Sequence, residues 1–69
     1  MDYLSTLGKR IRASREGLGI SQTKFALMIG MNKSYISDIE CGKGNVSFLN
    51  LIKISKGLNI PLEELLKGL

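Results

Sequence analysis

Residues 20–43, ISQTKFALMIGMNKSYISDIECGK, carry two short helical patterns joined by a tight turn at Gly30, and this limits the fold more than any other feature. Ser21 suits the N-cap of the first pattern, a helix of about eight residues that stops at Gly30. A capping box would place Glu or Gln at position 24; Lys24 stands there, so half of that motif is absent. Phe25, Ala26 and Ile29 fall on one side, and Ala26 is small enough to let two helices cross closely. Gly30 can adopt the left-handed conformation that ends one helix and turns the chain within three or four residues.

Asn32 is the expected N-cap of the second pattern, which runs to about Cys41. With roughly 100° per residue, Tyr35, Ile36 and Ile39 occupy one contiguous side. Ser34, Ser37, Asp38 and Cys41 occupy the other, with Lys33 at the exposed N-terminal edge. The isoleucines anchor such a helix inward. What faces outward is short and polar, which permits close approach to a groove.

The flanking segments read as helices too. A first helix is predicted from just after Asp2 to about Glu16, with Leu4, Leu7 and Ile11 at helical spacing and Asp2 accepting from the free amides. Gly17 and Gly19 then break the pattern. After the loop at residues 42–45, Ser47 caps a fourth helix from Phe48 to about Leu58, and Asn59 can close it. Its apolar set of Phe48, Leu49, Leu51, Ile52, Ile54 and Leu58 covers well over half the circumference, more than a surface helix normally shows. Pro61 fits the first turn of a fifth helix, whose apolar edge is Leu62, Leu65, Leu66 and Leu69. The expected architecture is all-α, one compact five-helix domain over residues 1–69, with no strand, repeat or linker.

Composition narrows the function. The 69 residues allow one domain, and a core this small is expected to be supplemented by a partner subunit or very efficient helix packing. The chain has no His and a single Cys, Cys41. An intramolecular disulfide is impossible, a zinc site lacks ligands, and Ser–His or Cys–His catalysis is excluded, so neither enzymatic activity nor a metal or cofactor is expected. No apolar run approaches the length of a membrane span, and the first residues lack the order of a signal peptide; a cytoplasmic location is expected. The net charge is +4, and residues 1–56 hold nine bases and four acids, a bias that suits a polyanion.

Taken in order, Arg15, Gly19-Ile20-Ser21-Gln22, Phe25-Ala26, Gly30, Ser34-Tyr35-Ile36-Ser37, Ile39-Glu40-Cys41-Gly42-Lys43 and residues 58–66, LNIPLEELL, resemble the Cro/repressor-type (XRE-like) helix-turn-helix family. The resemblance covers about residues 4–66. Within the family, residues 35–40 followed by Gly42 and Asn45-Val46-Ser47 look most like the controller proteins of restriction–modification systems; phage-type repressors and antitoxins share many of these positions. The resemblance implies a lambda-repressor-like fold with its helix-turn-helix at about residues 21–41 and a dimerisation surface at about 48–69. It further implies a homodimeric transcription regulator on double-stranded DNA with a two-fold symmetric operator, and it admits RNA polymerase as a further partner. No membrane or small-molecule partner is expected. The alternatives are a phage-type repressor, or a protein-interaction module such as an antitoxin with secondary DNA binding.

The same resemblance assigns roles. Asn32, Lys33, Ser34, Ser37 and Asp38 are the base-contact candidates: Lys33 can donate to guanine, the serines can donate or accept, and Asp38 can accept from cytosine or orient a neighbouring base. Gln22, Tyr35 and Lys43 are the phosphate-contact candidates, with Gln22 also bracing the start of the recognition helix. Arg10, Arg12 and Lys24 are weaker ones. Arg15 and Glu40 are expected to form a structural salt bridge. Leu51, Ile54, Leu58, Leu62, Leu65 and Leu66 are the dimer-interface candidates, although helices four and five could instead satisfy each other within one subunit. Cys41 reads as a tolerated small residue on the exposed side.

Overall fold

Short capped helices are what this chain builds. The computed structural model describes residues 2–69 and has α1 (Tyr3–Gly17), α2 (Gln22–Ile29), α3 (Lys33–Glu40), α4 (Phe48–Leu58) and α5 (Leu62–Leu65), with no strand among the described residues. Four starts are capped by the side chains the sequence points to. Asp2 accepts from the Ser5 amide at 3.1 Å, Ser21 from Lys24 at 3.0 Å, Asn32 from Tyr35 at 2.8 Å and Ser47 from Asn50 at 3.1 Å. Each cap satisfies one of the amides that a helix start leaves without an internal partner.

The stops follow the same chemistry. Gly30 closes α2 at φ 72°, a left-handed conformation that costs glycine little, and the Met31 amide donates back to the Ala26 carbonyl at 2.9 Å. Asn59 closes α4 at φ 58°, a role its short polar side chain tolerates. The fifth helix departs from expectation. Pro61 stands before it as the cap, its extended backbone placing its carbonyl to accept from Glu64 and Leu65, and α5 is a single turn that ends before Leu66 and Leu69.

Every helix contributes to one core. Leu7 and Ile11 of α1 meet Phe25 and Ala26 of α2, Ile36 and Ile39 of α3, Ile54 and Leu58 of α4, and Leu65 of α5. Each large member contributes about 1.5–3 kcal/mol on burial. The α1–α3 seam is the tightest place. A Cβ added at Gly8 would run into the Ile39 carbonyl oxygen and lie 2.7 Å from the Glu40 carbonyl oxygen, so only glycine lets these backbones approach.

The core also corrects the expected dimer surface. Ile54, Leu58 and Leu65 are buried inside the subunit, so they cannot line an interface with a second copy. Leu51, Leu62 and Leu66 are half-buried against the same core. The side chains that project are Phe48, 65% exposed, and Leu49, 70% exposed. Periodicity alone does not separate these sets, because both are leucine, isoleucine and phenylalanine on one very apolar helix. No helix is long and apolar enough to cross a membrane.

Candidate nucleic-acid interface

The outward side of α3 follows from what its inward side must do. Ile36 and Ile39 are buried, and α3 has no freedom to rotate once they are seated. Asn32, Lys33, Ser34, Asp38 and Cys41 are left exposed, and Ser37 is half-buried. The small side chains leave the backbone of α3 accessible to a groove of about 12 Å width. Asn32 is partly committed already, since its Oδ1 accepts from the Tyr35 amide, while its Nδ2 remains available to a ligand.

A buried ion pair fixes the other end of the helix. Arg15 donates through Nε to Glu40 Oε2 at 2.7 Å and through Nη2 to Glu40 Oε1 at 3.0 Å, the two-pronged geometry that a guanidinium favours with a carboxylate. Its Nη1 donates to the Ile20 carbonyl at 2.8 Å, tying in the loop before α2. The hydrogen-bonded Glu40 carboxylate holds Arg15 above its ordinary pKa, while burial acts in the opposite sense. Gln22 joins from the start of α2, its Nε2 donating to Glu40 Oε1 at 3.0 Å. One carboxylate thus links α1, α2 and α3.

That bond makes Gln22 a brace on Glu40, at the end of α3, and uses one of its two amide hydrogens. The anion-facing donors at this helix start include the backbone amides of Gln22 and Thr23, which precede the first α2 hydrogen bond, from Phe25 to Ser21. Tyr35 is likewise half core and half polar: its ring packs against the core and its hydroxyl accepts from Asn50 Nδ2 at 2.8 Å. Asn50 lies outside the apolar set that marks the fourth helix in the sequence. Nothing in helical spacing pairs positions 35 and 50, which meet only after the turn between α3 and α4.

Other bases sort by their partners. Lys43 is exposed in the loop after α3, where its amide donates to the Asp38 carbonyl at 2.8 Å. Arg10 is engaged elsewhere, donating through Nη1 to the Leu65 carbonyl at 3.0 Å and so holding α5 against α1. Arg12 pairs with Glu16 one turn on at 3.2 Å, an exposed contact of small value. No group of His, Cys, Asp and Glu that could hold a metal occurs among the described residues.

A buried brace behind a polar helix that projects short side chains is an arrangement for presenting α3 to a grooved polyanion. Comparison with known proteins agrees. The helix-turn-helix family model matches residues 11–65, and the chain belongs to that family of DNA-binding regulators. It is 46% identical over 65 residues to control protein C.MunI of Mycoplasma sp., covering 93% of this chain and 88% of that protein. The crystal structure of the restriction–modification controller protein C.AhdI from Aeromonas hydrophila superposes with a TM-score of 0.87 at 37% identity, covering 90% of this chain and 94% of that one. The P22 c2 repressor in complex with a synthetic operator superposes with a TM-score of 0.83 at 37% identity, over 90% of this chain and 94% of that one.

Proposed function

We propose that this regulator is a controller-type protein, a single DNA-binding domain that works in the cytoplasm as a homodimer on an operator with two-fold symmetry. The observation that carries this is the outward side of α3, a row of short polar side chains held rigidly by the Arg15–Glu40 brace. Asn32, Lys33, Ser34, Ser37 and Asp38 are its base-reading set, with Lys43 and the α2 start on the flanking phosphates. Likeness to C.MunI and C.AhdI supports the controller assignment. Its action is occupancy of a site, blocking or recruiting RNA polymerase by position; the role is binding and not catalysis.

The second subunit docks on the projecting face of α4. Phe48, Leu49 and Ile52 lie on one side of that helix, Ile52 one turn on from the other two, and Leu51, Leu62 and Leu66 are half-buried. A two-fold pair would set two copies of α3 roughly 34 Å apart, one turn of DNA.

Selection of bound duplexes from a random-sequence pool by the purified protein tests the reading. The expected result is an enriched motif with approximate two-fold symmetry. Folded protein that enriches no motif would overturn it and bring forward a protein-interaction role.

A further inference from the structure

The two shoulders of α3 differ in what stands beside them. At roughly 100° per residue, Ser34 and Asp38 lie about 40° apart, and Tyr35 and Ser37 each lie about 80° from their midline on opposite sides. An α-helix is about 10–12 Å across and the major groove about 12 Å wide, so both shoulders of a seated helix face sugar–phosphate backbone. The start of α2, tied by Gln22 to Glu40, guards the Ser37 side. On the Tyr35 side there is a polar hollow of about 220 Å³ lined by Gly30, Met31, Asn32, Tyr35, Asn50 and Lys53.

We propose that this hollow holds one backbone phosphate of the bound duplex, with Lys53 and the Tyr35 hydroxyl as its ligands and Asn50 as a positioning residue acting through Tyr35. The proposal rests on the DNA-binding reading above and adds residues of α4 to it. At about 220 Å³ the hollow has room for a phosphate group. Lys53 is exposed and brings positive charge to the rim. Because the Tyr35 oxygen already accepts from Asn50 Nδ2 at 2.8 Å, its proton is left to donate outward, and an accepted hydrogen bond makes a hydroxyl a stronger donor. The opening amides of α3 add favourable partial charge for an anion at the same end.

Fluorescence anisotropy on a duplex the protein has itself selected from a random pool is the test, over a range of salt. Lys53→Gln is expected to weaken binding by the dimer about 10-fold and to flatten the dependence of log Kd on log salt by about two, one for each subunit. Tyr35→Phe is expected to weaken it about 10-fold with an unchanged slope, since a donor is lost without a charge. Asn50→Ala should weaken binding in the native background and add little in Tyr35→Phe. Duplexes with one neutral methylphosphonate should reveal a phosphate whose loss weakens the native protein but not Lys53→Gln. Wild-type affinity and slope in Lys53→Gln and Tyr35→Phe, with Lys43→Gln weakened as a phosphate contact should be, would overturn the hollow and leave the DNA reading intact. Failure of the native protein to retain any duplex would remove both. Lys53 is exposed and Tyr35→Phe keeps the ring, so melting by circular dichroism should be near native for each.

Discussion

On its inward side α3 is held by two buried isoleucines, by a carboxylate shared among Arg15 and Gln22, and by an α1 backbone that approaches it at Gly8. On its outward side Ser34, Asp38 and Cys41 are exposed. Both sides come from one short helix and its cap. The contrast shows why a chain of 69 residues can afford a buried ion pair: a charge pair in a core stabilises little in net terms, but it fixes orientation, and orientation is what a reading helix needs.

The contrast can be broken most sharply from the inside. Glu40→Ala leaves the Arg15 guanidinium buried without its partner, and a loss of about 3–5 kcal/mol in urea unfolding is expected. Replacing both partners with apolar residues, Arg15→Met with Glu40→Leu, should recover most of that stability while weakening DNA binding, because the brace on Gln22 and α3 is gone. Gly8→Ala forces apart the α1 and α3 backbones, and a loss of about 1–3 kcal/mol is expected by the same measurement.

Outward changes should leave folding nearly untouched and act on partners. Leu49→Asp is expected to shift sedimentation toward a monomer, with operator affinity falling by about 1–2 kcal/mol or more and the melting temperature of the subunit little changed. Lys33→Ala should relax the preference for one base pair by about 1–3 kcal/mol, seen as loss of one conserved position when the random-pool selection is repeated. A stable protein with an unchanged motif would remove Lys33 from the base-reading set.

The smallest effect lies at the start of α1. Asp2 has its pKa lowered, first by the Ser5 hydroxyl and then by the Ser5 amide, both donating to its carboxylate. A depressed carboxyl favours the folded state fully above its unfolded pKa, and that contribution is lost as pH falls through the folded value. Asp2→Asn should therefore be slightly less stable than the native protein near neutral pH, the difference disappearing in strong acid. Urea midpoints across the acid range would show it.

Local signals were the ones legible in advance. Asp2, Ser21, Asn32 and Ser47 were readable as caps, and Gly30 and Asn59 as stops, because each acts on amides or carbonyls within a few residues of itself. The polar side of α3 was equally plain, since 3.6-residue periodicity needs no knowledge of the neighbours. The Arg15–Glu40 pair came from family resemblance and not from spacing.

What the sequence by itself determined, then, is the set of helices, the ends of the first four and the polar face of α3, all consequences of short-range geometry. Tertiary structure alone decided which leucines of α4 and α5 are core, that Gln22 braces Glu40, that Arg10 holds α5, and that Tyr35 and Asn50 share a hydrogen bond. These depend on residues up to 55 positions apart. Helical periodicity tells which side chains share a face, but only the angle at which helices pack tells which of two apolar faces water still reaches.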